Sequence, residues 1–202
     1  AEMLKVNASL KNIILRSNKF GETGWIEIFN GIKENENCKL EELNLYHEKI
    51  GIEGAKSLAE MLKVNASLKS INLENNNLVQ KYAQENTLKG ESFDVGATVE
   101  HEGANWKIVK GKDSDGDYII ACFDGIIAIA DALKVNVSLK SIELSYNRLS
   151  NNKIGDKKVQ VIAKGIQENK NCVLEELGLG GNKIKVEGAK SLAEMLKVNA
   201  SL

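Results

Sequence analysis

The spacing of apolar residues changes partway through each unit of this chain. LEELNL (40–45) alternates apolar and polar residues, which predicts a short strand with one buried face. EGAKSLAEMLKVN (53–65) places Ala55, Leu58, Ala59 and Leu62 at helical spacing. The pattern L-x-x-L-x-L-x-x-N starts at Leu10, Leu40, Leu68, Leu139 and Leu174. Its second apolar position reads Ile13, Leu43, Ile71, Ile142 and Leu177, and its third Leu15, Leu45, Leu73, Leu144 and Leu179. The period is about 28–30 residues wherever the chain is uninterrupted. EGAKSLAEMLKVNASL stands unchanged at 53–68 and 187–202, and its tail AEMLKVNASL opens the chain at 1–10.

One strand and one helix cannot bury their apolar faces alone. Stacked units can, with the strands in a parallel sheet and the helices outside it. The ninth position holds Asn18, Asn76 and Asn182, with Asn147 or Asn152 in the fourth unit. A buried asparagine both donates and accepts, so it can satisfy backbone groups where the strand turns away. Glu48 breaks this series, and two outcomes are expected: it turns outward, or the ladder is interrupted there.

These units resemble the ribonuclease-inhibitor subfamily of leucine-rich repeats, over roughly 1–78 and 124–202. That subfamily includes the repeat domains of nucleotide-binding immune receptors and of Ran GTPase activators. The resemblance implies an α/β fold, a right-handed horseshoe with the parallel sheet on the concave face and helices on the convex face. It also implies recruitment of protein partners by the concave face. Such a fold hosts many unrelated roles, so it names no partner.

Two departures interrupt the period. Between Leu78 and Gly125 lies an insertion of about 43 residues. It divides the chain into repeats at 1–78, an inserted segment at 79–123, and repeats at 124–202. VQKYAQENTLKGES reads as loop or a short helix. The apolar alternation of 93–123 predicts a small antiparallel three-stranded meander, with strands near 97–101, 105–110 and 117–122 and Trp106 as its anchor. Its hairpin order resembles small Tudor- or KOW-type modules. SYNRLSNNKIG (145–155) carries two overlapping turn matches, which predicts a local bulge.

Composition narrows the function class. The net charge is −1, which gives no sign of a nucleic-acid partner, and no apolar run is long enough to insert in a membrane. Three cysteines do not suggest a disulfide framework, and an intracellular, cytoplasmic setting is expected. Cys38 and Cys172 occupy one repeat position and read as small buried fillers. DSDGD (113–117) reads as a hairpin turn, because its glycine is fourth rather than sixth and its flanks are strand-like. The two histidines, His47 and His101, lack a recognisable nucleophile, and no phosphate-binding loop is present. No enzyme activity, cofactor or metal site is expected.

Four N-x-S sequons (Asn7, Asn65, Asn136, Asn199) recur at the helix end. They read as structural terminators tolerant of left-handed backbone. Trp25 reads as a core-facing helix residue.

Outward strand positions supply the candidate contacts. Arg16, Tyr46, His47, Glu74, Glu143 and Tyr146 are the expected partner-binding residues, chiefly because Arg and Tyr are enriched at interface hot spots. The favoured function is a protein-interaction scaffold, a segment of a larger protein or assembly. The alternative is a regulator of a small GTPase, similar to the Ran activators. Neither end carries the polar cap that solenoids need, so further repeats or a partner are expected to cover both ends.

Overall fold

A computed structural model describes residues 1–16, 18, 20–78, 80–83, 94, 97–101, 104–110, 119–147 and 156–202. Strand and helix alternate along the repeats: α1 (Glu2–Val6), β1 (Asn12–Ile14), α2 (Gly21–Lys33), β2 (Glu42–Asn44), α3 (Gly51–Val64) and β3 (Ser70–Asn72). Between β3 and the next repeat helix come β4 (Gln80–Ala83), β5 (Thr98–His101), β6 (Ala104–Lys110) and β7 (Ile119–Cys122). The repeats resume with α4 (Asp124–Leu133), β8 (Ser141–Glu143), α5 (Lys157–Glu168), β9 (Glu176–Gly178) and α6 (Val186–Val198).

The repeat strands form one parallel sheet in the order β1-β2-β3-β8-β9. Its register is that of the repeat, pairing Leu43 with Ile71 and Ile71 with Ile142. Because side chains alternate across a strand, this register sends Leu43, Ile71 and Ile142 to one face together. They are buried there in a single core with Leu58, Leu62 and Ile129 from the helices. Consecutive helices pack side by side, α1 on α2 through α5 on α6. In α3 and α4 the close approach of the helix to the preceding turn is made at a glycine. A Cβ on Gly54 would come 2.7 Å from Ile50 Cγ2, and one on Gly125 would come 3.0 Å from the Leu78 carbonyl oxygen. The matching residue of α5 is Lys158, which is 2% exposed with its ammonium 4.8 Å from the centre of the Phe123 ring. Burial lowers its pKa to about 8.

Two asparagine ladders join the units. At the strand exit, Asn147 and Asn76 donate their backbone N–H groups to Asn182 Oδ1 and Asn147 Oδ1, each at 2.9 Å. Their side-chain amides donate back to the Leu73 and Leu45 carbonyls at 2.7 and 2.6 Å. At the helix exit, Asn65 Oδ1 accepts the N–H groups of Ser67 and Leu68. One unit further along, Asn136 Nδ2 donates to the Leu62 carbonyl. The sequon asparagines Asn7, Asn65 and Asn199 end their helices in extended backbone (φ −75, −76 and −95), not in the left-handed geometry expected for them. The side-chain bonds to residues two and three ahead terminate the helix, so no left-handed turn is required.

Glu48 does not turn outward, and it interrupts only the donating half of the ladder. It is 4% exposed and stays in the ladder. Its N–H donates to Asn76 Oδ1, and its Oε1 accepts the N–H of Asn18 at 3.2 Å. Its Oε2 is buried without a hydrogen-bond partner. A carboxylate can fill the accepting half of an asparagine rung but not the donating half.

In the inserted segment the strands pair antiparallel in the order β4-β7-β6-β5. The sheet therefore has a strand beyond the three read from the pattern. Gln80–Ala83, taken as loop or short helix, lies against Ile119–Cys122. Its pairing partner is distant in the chain, so local periodicity did not show it. The DSDGD turn, the Trp106 side chain and residues 148–155 of the expected bulge lie outside the described residues. Cys122 is buried, and desolvation raises its thiol pKa. Cys38 and Cys172 are half-buried against the core rather than fully enclosed, and all three cysteines are free.

Candidate protein-binding face

The sheet face turned away from the helices is organised in rows, one residue from each strand. The middle row holds Ile14, Asn44, Asn72, Glu143 and Gly178, and the next runs Arg16, Tyr46, Glu74, Ser145 and Gly180. Much of the middle row is occupied with its own backbone. Asn44 Oδ1 accepts the Tyr46 N–H, Asn72 Oδ1 that of Glu74, and Glu143 Oε1 that of Ser145, at 2.8–3.1 Å. Glu143 also lies over Gly178, filling the space that a side chain there would take. Of the six candidate contacts, it is the one turned back onto the scaffold.

The others project. Tyr46 is 40% exposed and Tyr146 59%, while Arg16 and His47 are exposed and Glu74 is half-buried. Among the described residues, neither Arg16 nor the Glu74 carboxylate has an ion-pair or hydrogen-bond partner. The Tyr46 and His47 rings lie 6.0 Å apart, and His47 Nδ1 is 2.6 Å from the Asn75 side-chain amide. Ile14, in the middle row, is 64% exposed.

The turn after each strand holds its own residues in unusual backbone. His47, Asn75 and Tyr146 have φ of 59, 57 and 56°, and Gly181 occupies the same place in the fifth unit at 65°. Left-handed backbone costs about 1–2 kcal/mol for a residue with a Cβ. Glycine is the residue this position favours, and His47 and Tyr146 are retained against that preference. The Tyr146 ring leans over Gly181, close to where a Cβ would sit.

At the sheet edge where the strands enter, charges pair across units. Glu41 meets Lys11 at 2.9 Å and Lys69 at 2.8 Å, and these two lysines lower its pKa to about 2. Carboxylates also reach from one unit to the helix of the next. Glu22 Oε1 accepts the Glu53 N–H at 2.7 Å, and Asp156 accepts from Lys185 and Gly188. Among the described residues no group of three or more His, Cys, Asp or Glu side chains is arranged to hold a metal, and no helix is long and apolar enough to cross a membrane.

Parallel strand–helix units joined by asparagine rungs are an arrangement of leucine-rich-repeat type. The Leucine Rich repeat family model matches residues 36–59 and 170–193. Over 201 residues the chain is 30% identical to ribonuclease inhibitor of Mus musculus, taking in 100% of this chain and 40% of that relative's length. Among solved structures it is similar to actin-binding site 2 of leiomodin-1, at a TM-score of 0.60 and 18% identity, covering 97% of this chain and 84% of that one. It is likewise similar to the C-terminal domain of tropomodulin from Caenorhabditis elegans, at a TM-score of 0.57 and 14% identity, covering 96% and 87%. At these identities the two structures speak for the fold alone.

Proposed function

We propose that this chain is a protein-interaction module of an intracellular scaffold, whose open sheet face recruits a partner while the repeats keep that face rigid. The observation that carries this reading is the division of labour on the face. Asn44, Asn72 and Glu143 are bonded to their own turns. Arg16, Tyr46, His47 and Tyr146 are left exposed beside them, two of them in strained backbone. Strain held at exposed side chains is a reason to suspect function. The 30% identity to ribonuclease inhibitor over 201 residues supports binding over catalysis. Three free cysteines favour a reducing compartment.

The three outward rows carry Glu42, Glu74, Glu143 and Glu176 against Arg16. That balance disfavours nucleic acid and favours a protein. Residues 79–123 are proposed as an inserted module, Tudor- or KOW-like in its hairpin order, that offers a second surface for contact.

A photo-crosslinking residue placed at Tyr46 and, separately, at Lys164 of α5 tests the reading in native extract. The expected result is a protein captured from Tyr46 and not from Lys164, and lost in a Tyr146→Ala background. Equal capture from the helix side would overturn it.

A further inference from the structure

Resting on the reading that the open face binds protein, we infer that Glu74, with Tyr46 beside it on the neighbouring strand, is a receptor for an arginine side chain of the partner. Three observations converge on this spot. The sheet register sets Tyr46 beside Glu74 and Glu74 beside Ser145, and it sets His47 beside Asn75 and Asn75 beside Tyr146. Glu74 therefore stands between an aromatic pair on one side and the small Ser145 and Gly180 on the other. Beyond these, the Tyr146 ring leans over Gly181.

The charge balance points the same way. Of the other carboxylates on the outward rows, Glu42 is met by the Asn12 amide and Glu143 by a backbone N–H, while Glu176 is exposed to solvent. The half-buried Glu74 carboxylate has no such partner among the described residues. Arg16, the one base on the three outward rows, stands two strands away, about 10 Å by the spacing of strands in a sheet. Among the described residues, no base pairs with the Glu74 carboxylate.

Ring geometry selects the kind of cation. Tyr46 and His47, on the strand next to Glu74, have rings 6.0 Å apart and inclined at 38°. The Asn75 side-chain amide meets His47 at Nδ1 and fixes that ring. A planar guanidinium can stack on an aromatic face while its N–H fork engages a carboxylate, whereas an ammonium is a point charge that keeps its water.

The test uses the whole chain, labelled with nitrogen-15 and titrated with Ac-Gly-Arg-Gly-NH2, Ac-Gly-Lys-Gly-NH2 and Ac-Gly-Glu-Gly-NH2. The arginine peptide is expected to move the amide signals of Tyr46, His47, Glu74, Asn75 and Tyr146 saturably. Glu74→Gln should weaken its binding by about fivefold or more. Tyr46→Ser should weaken it as well, with the rest of the spectrum unchanged. Shifts that are equal for the lysine peptide, scattered over all acidic surfaces, absent, or unaffected by Glu74→Gln would overturn the inference. The outcome is separable from that of crosslinking. A partner captured at Tyr46 with no arginine response sinks this receptor alone, and an arginine response with no capture sinks the recruitment reading alone.

Discussion

Glu48 shows how one side chain can be tolerated and still be costly. It keeps the accepting half of its rung and leaves Oε2 buried and unpaired. Glu48→Asn removes that buried acceptor and restores a donor toward the preceding unit's carbonyls, as Asn76 and Asn147 provide in theirs. The expected gain is about 1 kcal/mol, read as a higher denaturation midpoint at unchanged slope. An unchanged or lower midpoint would show that Glu48 is satisfied in solution.

Lys158 carries its own signature. Its pKa falls from 10.5 to about 8 on burial, so the unfolded chain holds this proton over a range where the folded one releases it. Stability contributed by this residue should therefore rise with pH between about 8 and 10.5. Lys158→Met should flatten that rise, and identical pH profiles for the two proteins would contradict the assignment.

The repeat elements are held by groups that local sequence alone does not assign. α6 has no side-chain cap from its own N-cap residue, and α3 likewise. Their first N–H groups are met by Asp156 and Glu22 of the preceding units, a carboxylate at the positive end of a neighbouring helix. Asp156→Ala should destabilise by about 1–2 kcal/mol. Hydrogen exchange should speed up in the first turn of α6 before it does elsewhere. Uniform acceleration across all repeats would mean the loss is global and not a lost cap.

At the opposite sheet edge, Glu41 is held below its ordinary pKa by Lys69 and Lys11. A depressed carboxylate contributes stability that is complete above about 4.5 and is lost as pH falls toward about 2. The difference between the parent and Glu41→Gln should shrink across that window. Because the group is exposed, it should shrink in high salt too. A pH-independent difference would point to packing, not charge.

For the molecule as a whole, the inserted segment and the repeats are separable by chain geometry. Leu78 and Phe123 bracket the insertion and both lie in the common core. Removing 80–122 leaves Leu78-Val79-Phe123-Asp124 in place of Ile50-Gly51-Ile52-Glu53 of the second unit. Gly51 has φ +74, so the excision should carry Val79→Gly to suit that left-handed position. The shortened chain is expected to unfold in one cooperative transition with its helical circular dichroism retained. Loss of cooperative folding would make the inserted segment part of the repeat core.

Spacing alone determined the repeats. A strict alternation in LEELNL and a helical one in EGAKSLAEMLKVN each record which face of an element is buried, and burial is periodic wherever elements stack. The same reasoning placed Arg16, Tyr46, Glu74 and Glu143 at outward strand positions, because sheet register repeats the unit, whereas His47 and Tyr146 lie in the turns that follow the strands. Tertiary structure decided the rest. Whether Glu143 projects or folds onto Ser145 depends on Gly178 in the next unit leaving room for it. Whether Glu48 leaves the ladder or stays depends on the Asn18 N–H of the preceding unit. β4 exists because β7, some forty residues later, offers it an edge. Each of these outcomes rests on a contact between units or between distant strands, and periodicity within one unit holds no record of its neighbour.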